Sequence, residues 1–182
     1  MKKLLIVVDM QKDFTSGVLG NDACEAAVGK VADVIKAHTY DKIYLTMDTH
    51  RPDQYLSTQE GRKLPVPHCL KGTDGWQIRD EIMGVMKETY SGCEYEILNK
   101  HSFGSLLLGN ILQTEYLTDQ EDLQIDFVGV CTGICVISNV LIVKAALPEA
   151  RICVIENACA CVTPESHKTA IAAMKMCQVD II

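Results

Sequence analysis

The sequence lacks several features that mark common classes of protein. It has no C-x-x-C pair, which argues against a zinc ribbon or a thioredoxin-type redox site. It has no uncharged apolar stretch of about 18 residues, so it predicts no membrane-spanning helix. It also has no block of five or more like charges. With a net charge of −7, this argues against binding to nucleic acid or to an anionic membrane.

The N-terminus also lacks the signature of a secretory signal. Its apolar run is too short for a signal peptide and reaches Asp9 without a small-residue cleavage site. We therefore expect a cytoplasmic protein with reduced thiols. The nine cysteines are odd in number, and at about 5% of the chain they fall below the roughly 8–10% of disulfide-rich scaffolds.

Most of these cysteines are expected to behave as small apolar side chains in the core. One or two thiols at most should have a special chemical role. We predict buried or nearly buried positions for Cys153, Cys159, Cys161 and Cys177, and we assign no role to Cys24 and Cys93.

The apolar pattern predicts strands that alternate with helices. Strands are expected at 3–8, 42–47, 94–98, 123–130, 151–155 and 179–182, and helices at 22–35, 74–85, 105–114, 134–147 and 164–177. This order predicts one three-layer, doubly wound α/β domain over 1–182, Rossmann-like, with a mostly parallel sheet of about six strands and helices on both faces. The stretch 49–75 has little periodicity and is expected to be a functional loop.

Reactive side chains follow three of the predicted strands. The carboxyl ends of parallel strands meet at one edge, where ligands bind. Asp9, Lys100 and Cys135 would meet there, and an acid, a lysine and a thiol form a plausible nucleophilic site. Each residue taken alone also has a structural interpretation: a turn cap, a solvated lysine and a buried thiol. Near a helix N-terminus and a lysine, the pKa of the Cys135 thiol is expected to be lowered.

Two longer motifs carry a resemblance to a known family. They are Asp-Met-Gln-Lys-Asp-Phe at 9–14 and Gly-Val-Cys-Thr-Gly-Ile-Cys-Val at 129–136, with Lys100 between them. This combination resembles the isochorismatase-like cysteine hydrolases, and the resemblance runs from Leu4 to the end of the chain. It implies the isochorismatase-like version of the α/β fold.

The resemblance also implies roles for individual residues. Asp9, Lys100 and Cys135 would be the catalytic residues. The backbone N–H groups of Cys131 and Cys135 would form an oxyanion hole, with a cis peptide bond between Val130 and Cys131. The expected hydrolysis is that of a small amide through a thioester on Cys135.

Two further motifs are similar to the nicotinamidase branch of that family. They are Asp-Thr-His at 48–50 and Pro-His-Cys at 67–69. The resemblance implies a divalent metal that binds a pyridine nitrogen, with zinc favoured over iron or manganese. Two imidazoles and a carboxylate suit such an open site. The implied ligands are Asp48, His50 and His68, with Glu60 as a looser fourth.

Three functional hypotheses follow. The first is hydrolysis of nicotinamide to nicotinate and ammonia, with Phe14 and Phe103 flanking the ring, although both could instead pack in the core. The second is a metal-independent cysteine hydrolase acting on another small amide. The third, a non-catalytic or vinyl-ether-cleaving relative, is disfavoured because that branch lacks the thiol that Cys135 supplies. A homo-oligomer is possible in each case.

Overall fold

The computed structural model describes residues 1–37, 39–90 and 94–182. Six strands lie within these ranges: β1 (Lys2–Val8), β2 (Lys42–Asp48), β3 (Tyr95–Lys100), β4 (Leu123–Val130), β5 (Arg151–Ala160) and β6 (Asp180–Ile181). The α-helices are α1 (Lys12–Thr15), α2 (Asp22–Lys36), α3 (Gln59–Lys63), α4 (Asp80–Thr89), α5 (Leu106–Tyr116), α6 (Ile137–Ala146) and α7 (Pro164–Met176). Short 3₁₀ turns span Tyr55–Ser57 and Gln120–Asp122, and a π-helical turn spans Thr132–Val136.

The strands form one sheet in the order β3-β2-β1-β4-β5-β6, and every adjacent pair is parallel. The predicted fold class is therefore confirmed. Two apolar layers cover the sheet, one formed with α2 and α4 and the other with α5, α6 and α7. The chain order reverses between β1 and β4, and in such sheets ligands bind beyond the strand ends at this point.

The two strands at this switch point approach closely at their carboxyl ends. Gly129 has a φ of 118°, and a Cβ atom there would lie 2.1 Å from the carbonyl oxygen of Val8. Glycine is required on both counts, since a side chain would clash and the φ is unfavourable for other residues. This approach brings the residues after β1 and β4 together.

Several boundaries differ from the sequence prediction. The helix expected from 74 begins at Asp80, because the preceding residues are held by turns and by a β-bridge between Gln11 and Ile78. The stretch 49–75 contains a 3₁₀ turn and α3. The strand expected at 151–155 continues to Ala160, because it resumes its pairing with β4 after an irregularity in register.

One prediction about a cysteine is wrong. Cys177 is exposed, against the prediction, because it lies at the C-terminal cap of α7 where the helix leaves the core. Cys93 lies outside the described residues. In the described ranges, no helix combines the length and the apolar character needed to cross a bilayer.

Candidate active site

Asp9 is fixed at the end of β1 by its backbone and by Thr46. Its φ of 47° turns the chain away from the strand direction. The Thr46 hydroxyl donates a 2.6 Å hydrogen bond to Asp9 Oδ1, and the Asp9 N–H donates to the Thr46 carbonyl at 3.2 Å. Asp9 is completely buried. One carboxylate oxygen is thus anchored by a hydroxyl, and the other is directed to a different partner.

That partner is Lys100, the last residue of β3. Its Nζ lies 2.7 Å from Asp9 Oδ2, 3.7 Å from Cys135 Sγ and 3.5 Å from Asp48 Oδ1. The Lys100 side chain is 1% exposed, so these ionic contacts are not screened by solvent. The three residues predicted from the strand ends are therefore brought together around one ammonium group.

Burial is the largest influence on the pKa values of Cys135 and Asp9. It raises the pKa of the Cys135 thiol well above its ordinary value, and the Asp9 charge raises it further, while Lys100 opposes both. The predicted lowering of this pKa is wrong, because the thiol is only 6% exposed and desolvation outweighs the lysine. Burial also raises the pKa of Asp9. A raised thiol pKa favours the protonated form of Cys135.

The nucleophile turn, defined as 131–136, is not an ordinary helix start. The peptide bond between Val130 and Cys131 is cis, as the family resemblance implies. The Cys131 carbonyl accepts hydrogen bonds from the N–H groups of Ile134 and Val136, at 3.0 and 3.1 Å. The predicted helix over 134–147 is thus divided into a π-helical turn that contains Cys135 and the following α6.

Four possible metal ligands meet beside this turn. The ligand atoms of Asp48, His50, Glu60 and His68 all lie within 4.8 Å of one another. Asp48 Oδ2 lies 2.9 Å from His50 Nε2 and 3.6 Å from His68 Nε2. Glu60 Oε1 lies 3.8 Å from His50 Nε2 and 3.6 Å from His68 Nε2. Glu60, the weakest of the predicted ligands, therefore lies with the other three.

The chemistry of this group fits a divalent cation. His68 Nδ1 is 2.8 Å from the Val66 carbonyl, to which it must donate, so the Nε2 atom faces the two carboxylates. Burial alone would lower the pKa of His68, but hydrogen bonds to Asp48 and Glu60 raise it to about 9. The site thus favours added positive charge. Two imidazole nitrogens and two carboxylate oxygens suit zinc, iron or manganese.

Gln11 holds the metal-ligand strand in place, a role that sequence reasoning missed. Its Oε1 accepts from the Asp48 N–H at 2.7 Å, and its Nε2 donates to the carbonyls of Asp48 and Trp76, both at 2.8 Å. Gln11 is completely buried. The sequence feature that could have indicated this role is the position of Gln11 inside the motif at 9–14.

Tyr55 supports the histidines and was also missed. Its ring packs edge-on against His50 at 4.9 Å and His68 at 5.2 Å, measured between centroids. Its hydroxyl donates to the Leu64 carbonyl at 2.7 Å. Tyr55 lies in the stretch 49–75, where no periodicity could indicate that its ring turns inward.

The two phenylalanines have different surroundings. Phe14 is 9% exposed and packs in the core, with its ring 5.4 Å from that of His68. Phe103 is 48% exposed and lines a cavity of about 510 Å³. That cavity reaches the ligand group at His50 and Glu60, and the nucleophile turn at Ile134. Phe14 is not among the residues that line it.

Known proteins share this sequence pattern and this fold. The yeast Saccharomyces cerevisiae nicotinamidase is 30% identical over 148 residues, which cover 65% of this chain and 59% of the yeast protein. The structure of nicotinamidase/pyrazinamidase from Bacillus subtilis superimposes with a TM-score of 0.85 at 20% identity, covering 100% of this chain and 99% of that one. The Pyrococcus horikoshii pyrazinamidase in complex with zinc gives 0.77 at 22% identity, with 100% and 99% covered.

The structural similarities establish the fold, and the sequence match establishes the family. Residues 3–182 match the isochorismatase domain, which is nearly the whole chain. The motifs at 9–14 and 129–136 both lie inside this match and supply the buried acid and thiol described above. The chain therefore belongs to the isochorismatase family.

Proposed function

We propose that the chain is a metal-assisted cysteine amidohydrolase that converts nicotinamide to nicotinate and ammonia, with 1–182 acting as a single catalytic domain. One observation carries this proposal. Lys100 Nζ contacts Asp9, Cys135 and Asp48 at once, so the thiol lies next to the ligand group. A small heteroaromatic amide could then present its ring nitrogen to one centre and its carbonyl carbon to the other.

The first half-reaction forms a thioester. Asp9 accepts the thiol proton of Cys135 as the sulfur attacks the amide carbon, and Lys100 stabilises the negative charge on the sulfur. The backbone N–H groups of Cys131 and Cys135 are assigned to the carbonyl oxygen, where such donors stabilise the tetrahedral intermediate. Asp9 then returns its proton to the leaving nitrogen, the C–N bond breaks and ammonia departs.

The second half-reaction regenerates the thiol. Asp9, again ionised, removes a proton from a water molecule that attacks the thioester carbon. The C–S bond breaks and the sulfur recovers the proton from Asp9. The product acid gives its remaining proton to solvent and leaves as nicotinate. The raised pKa of Asp9 suits both roles, since an ordinary carboxyl would be too weak a base for a thiol.

The metal would be held by Asp48, His50, His68 and Glu60. When bound, it supplies a Lewis acid for the pyridine nitrogen and so fixes the ring. Phe103 would form one wall of the ring pocket, and Phe14 would support it through His68. The names of the yeast and Bacillus relatives support this substrate, and the zinc in the Pyrococcus relative supports this metal. This activity would belong to cytoplasmic NAD salvage.

Ammonia release from nicotinamide and from benzamide tests the proposal. Benzamide has the same shape but no ring nitrogen, so it is a matched control for the metal contact. With the zinc-loaded protein we expect nicotinamide to be hydrolysed. We expect kcat/KM for benzamide to be about 100-fold lower than for nicotinamide, because benzamide cannot make the polar contact between ring nitrogen and metal. Equal rates for the two amides, unaffected by zinc, would instead favour the metal-independent amidase. Failure to hydrolyse nicotinamide would refute the proposed function.

Replacing Asp9 should remove the general base. The Asp9→Asn variant keeps an oxygen for the Thr46 hydroxyl but cannot accept a proton, so we expect kcat to fall by about 10²- to 10⁴-fold. In the wild type, protonation of Asp9 stops the reaction, and burial raises its pKa above the ordinary 3.8. Activity should therefore disappear, as the pH falls, at a higher pH than an ordinary carboxyl would give.

The check is kcat/KM for nicotinamide between about pH 4 and pH 9. Asp126→Asn is the matched control, because Asp126 is also a buried carboxylate in the sheet, but it accepts hydrogen bonds from Tyr40 and Gln124 instead of contacting Lys100. That variant should keep the acid limb where the wild type has it. An Asp9→Asn enzyme with undiminished kcat and the same acid limb would contradict the assignment.

A further inference from the structure

Asn139 is a completely buried polar residue on α6 that the proposed chemistry leaves unused. Its Nδ2 donates to the carbonyl of Cys135 at 2.8 Å and to the carbonyl of Phe103 at 3.2 Å. Its Oδ1 accepts from the N–H of Ser105 at 2.9 Å. The partners fix the orientation of the amide, since carbonyls can only accept and the N–H can only donate.

These three bonds connect two parts of the site. The first reaches the nucleophile residue itself, one helical turn before Asn139. The other two reach the loop 101–105, which follows Lys100 directly and carries Phe103 on the cavity wall. The loop packs tightly on α6, because a Cβ atom on Gly104 would lie 2.5 Å from Ile142 Cδ1.

We propose that Asn139 is a positioning residue with two separable functions. Through the Cys135 carbonyl it holds the π-helical turn and so the thiol, and through Phe103 and Ser105 it holds the wall of the substrate cavity. The effect on substrate rests on the proposed function, whereas the effect on the thiol does not. A displacement of about 1 Å at a reacting group can cost about 100-fold in rate, so such a clamp has measurable consequences.

The chemistry of the side chain separates the two functions. A threonine at 139 can donate its hydroxyl to the carbonyl four residues earlier, as threonine does in helices, but it is too short to reach the loop. An alanine makes neither contact. Asn139→Thr therefore retains the bond to Cys135 and loses the loop, while Asn139→Ala loses both.

The experiment measures alkylation of Cys135 by iodoacetamide, followed by mass spectrometry, together with amide hydrogen exchange and steady-state kinetics with nicotinamide. For Asn139→Ala we expect alkylation to slow by roughly 10-fold and kcat/KM to fall by roughly 100-fold. For Asn139→Thr we expect alkylation and kcat within about 3-fold of wild type but KM raised by roughly 10-fold. In both variants the Ser105 amide should exchange faster.

Ser138→Ala is the matched control, because Ser138 donates to the Ile134 carbonyl at 2.6 Å, but this bond is exposed, so water can replace it, whereas the bond from Asn139 to Cys135 is buried. It should leave alkylation and KM unchanged. The proposal is overturned if both Asn139 variants lower only the melting temperature, or if Asn139→Thr slows alkylation as much as Asn139→Ala. If the wild type does not hydrolyse nicotinamide, the proposed function fails, while alkylation and hydrogen exchange still decide the role of Asn139.

Discussion

Nicotinamide hydrolysis is expected to disappear in the Cys135→Ala variant, with kcat lower by about 10⁴- to 10⁶-fold. The sulfur is the only heavy atom of the protein that forms a covalent bond to the substrate in the proposed reaction. Asp9 and Lys100 remain in place without it, but they cannot form a thioester. The measurement is ammonia release over a long incubation at high enzyme concentration, with the melting temperature recorded alongside.

Cys177→Ser is the matched control, because Cys177 is an exposed thiol at the end of α7. We expect this variant to keep full activity and to lose only the rapid surface labelling that an exposed thiol gives. Mass spectrometry of the wild type mixed with nicotinamide should find any acyl group on Cys135. Turnover by Cys135→Ala at more than about a hundredth of the wild-type rate would exclude the thioester route.

The meeting of the three candidate catalytic residues could be predicted because they follow strands. Asp9, Lys100 and Cys135 stand just beyond three apolar runs, and the geometry of a parallel sheet requires the ends of such runs to meet. The positions of the strands in the sequence were sufficient for this prediction. The candidate ligands Asp48 and His50 lie at the end of β2 and just after it, and their position could be predicted from the same pattern together with the family motif.

The protonation of the thiol could not be predicted in this way. A helix N-terminus and a lysine both lower a thiol pKa, and both are visible in the sequence. The burial of Cys135 is not visible, because it depends on how β4, α6 and α7 pack around the turn. Burial reverses the sign of the shift. For this reason the mechanism proposed above assigns Asp9 as a base rather than starting from a thiolate already formed.

Contacts made by the irregular segments also could not be predicted from the sequence. Tyr55 packs against two histidines because 49–75 folds back on itself, and a sequence with no periodicity gives no indication of that path. Glu60 comes within reach of His68 because it lies on α3, which begins at an N-cap where the Thr58 hydroxyl oxygen accepts from the N–H of Gly61. Its place near the other ligands therefore depends on a short helix that the sequence pattern did not predict.

Loss of one metal ligand should have the second large effect. In His68→Ala, one imidazole of the four-ligand group is gone, and Asp48, His50 and Glu60 remain. We expect zinc affinity to fall by more than about 100-fold, since replacing even an outer-shell partner can cost that much. Nicotinamide hydrolysis should fall with it. Metal content by plasma mass spectrometry and titration calorimetry with zinc alone measure the first effect without using activity.

His167→Ala is the matched control for metal content, because His167 lies on α7 and bonds to Thr132 rather than to the ligand group. It should retain zinc at the wild-type stoichiometry.

Chelation of the wild type should abolish hydrolysis, and added zinc should restore it, while Cys135 remains open to alkylation throughout. A chelated enzyme that hydrolyses nicotinamide at the full rate would separate the thiol chemistry from the metal. Lys100 contacts both Asp48 and the thiol, so loss of a structural ion should also disturb Cys135. If the metal instead anchors the substrate ring, its removal should weaken substrate binding and leave alkylation of Cys135 unchanged.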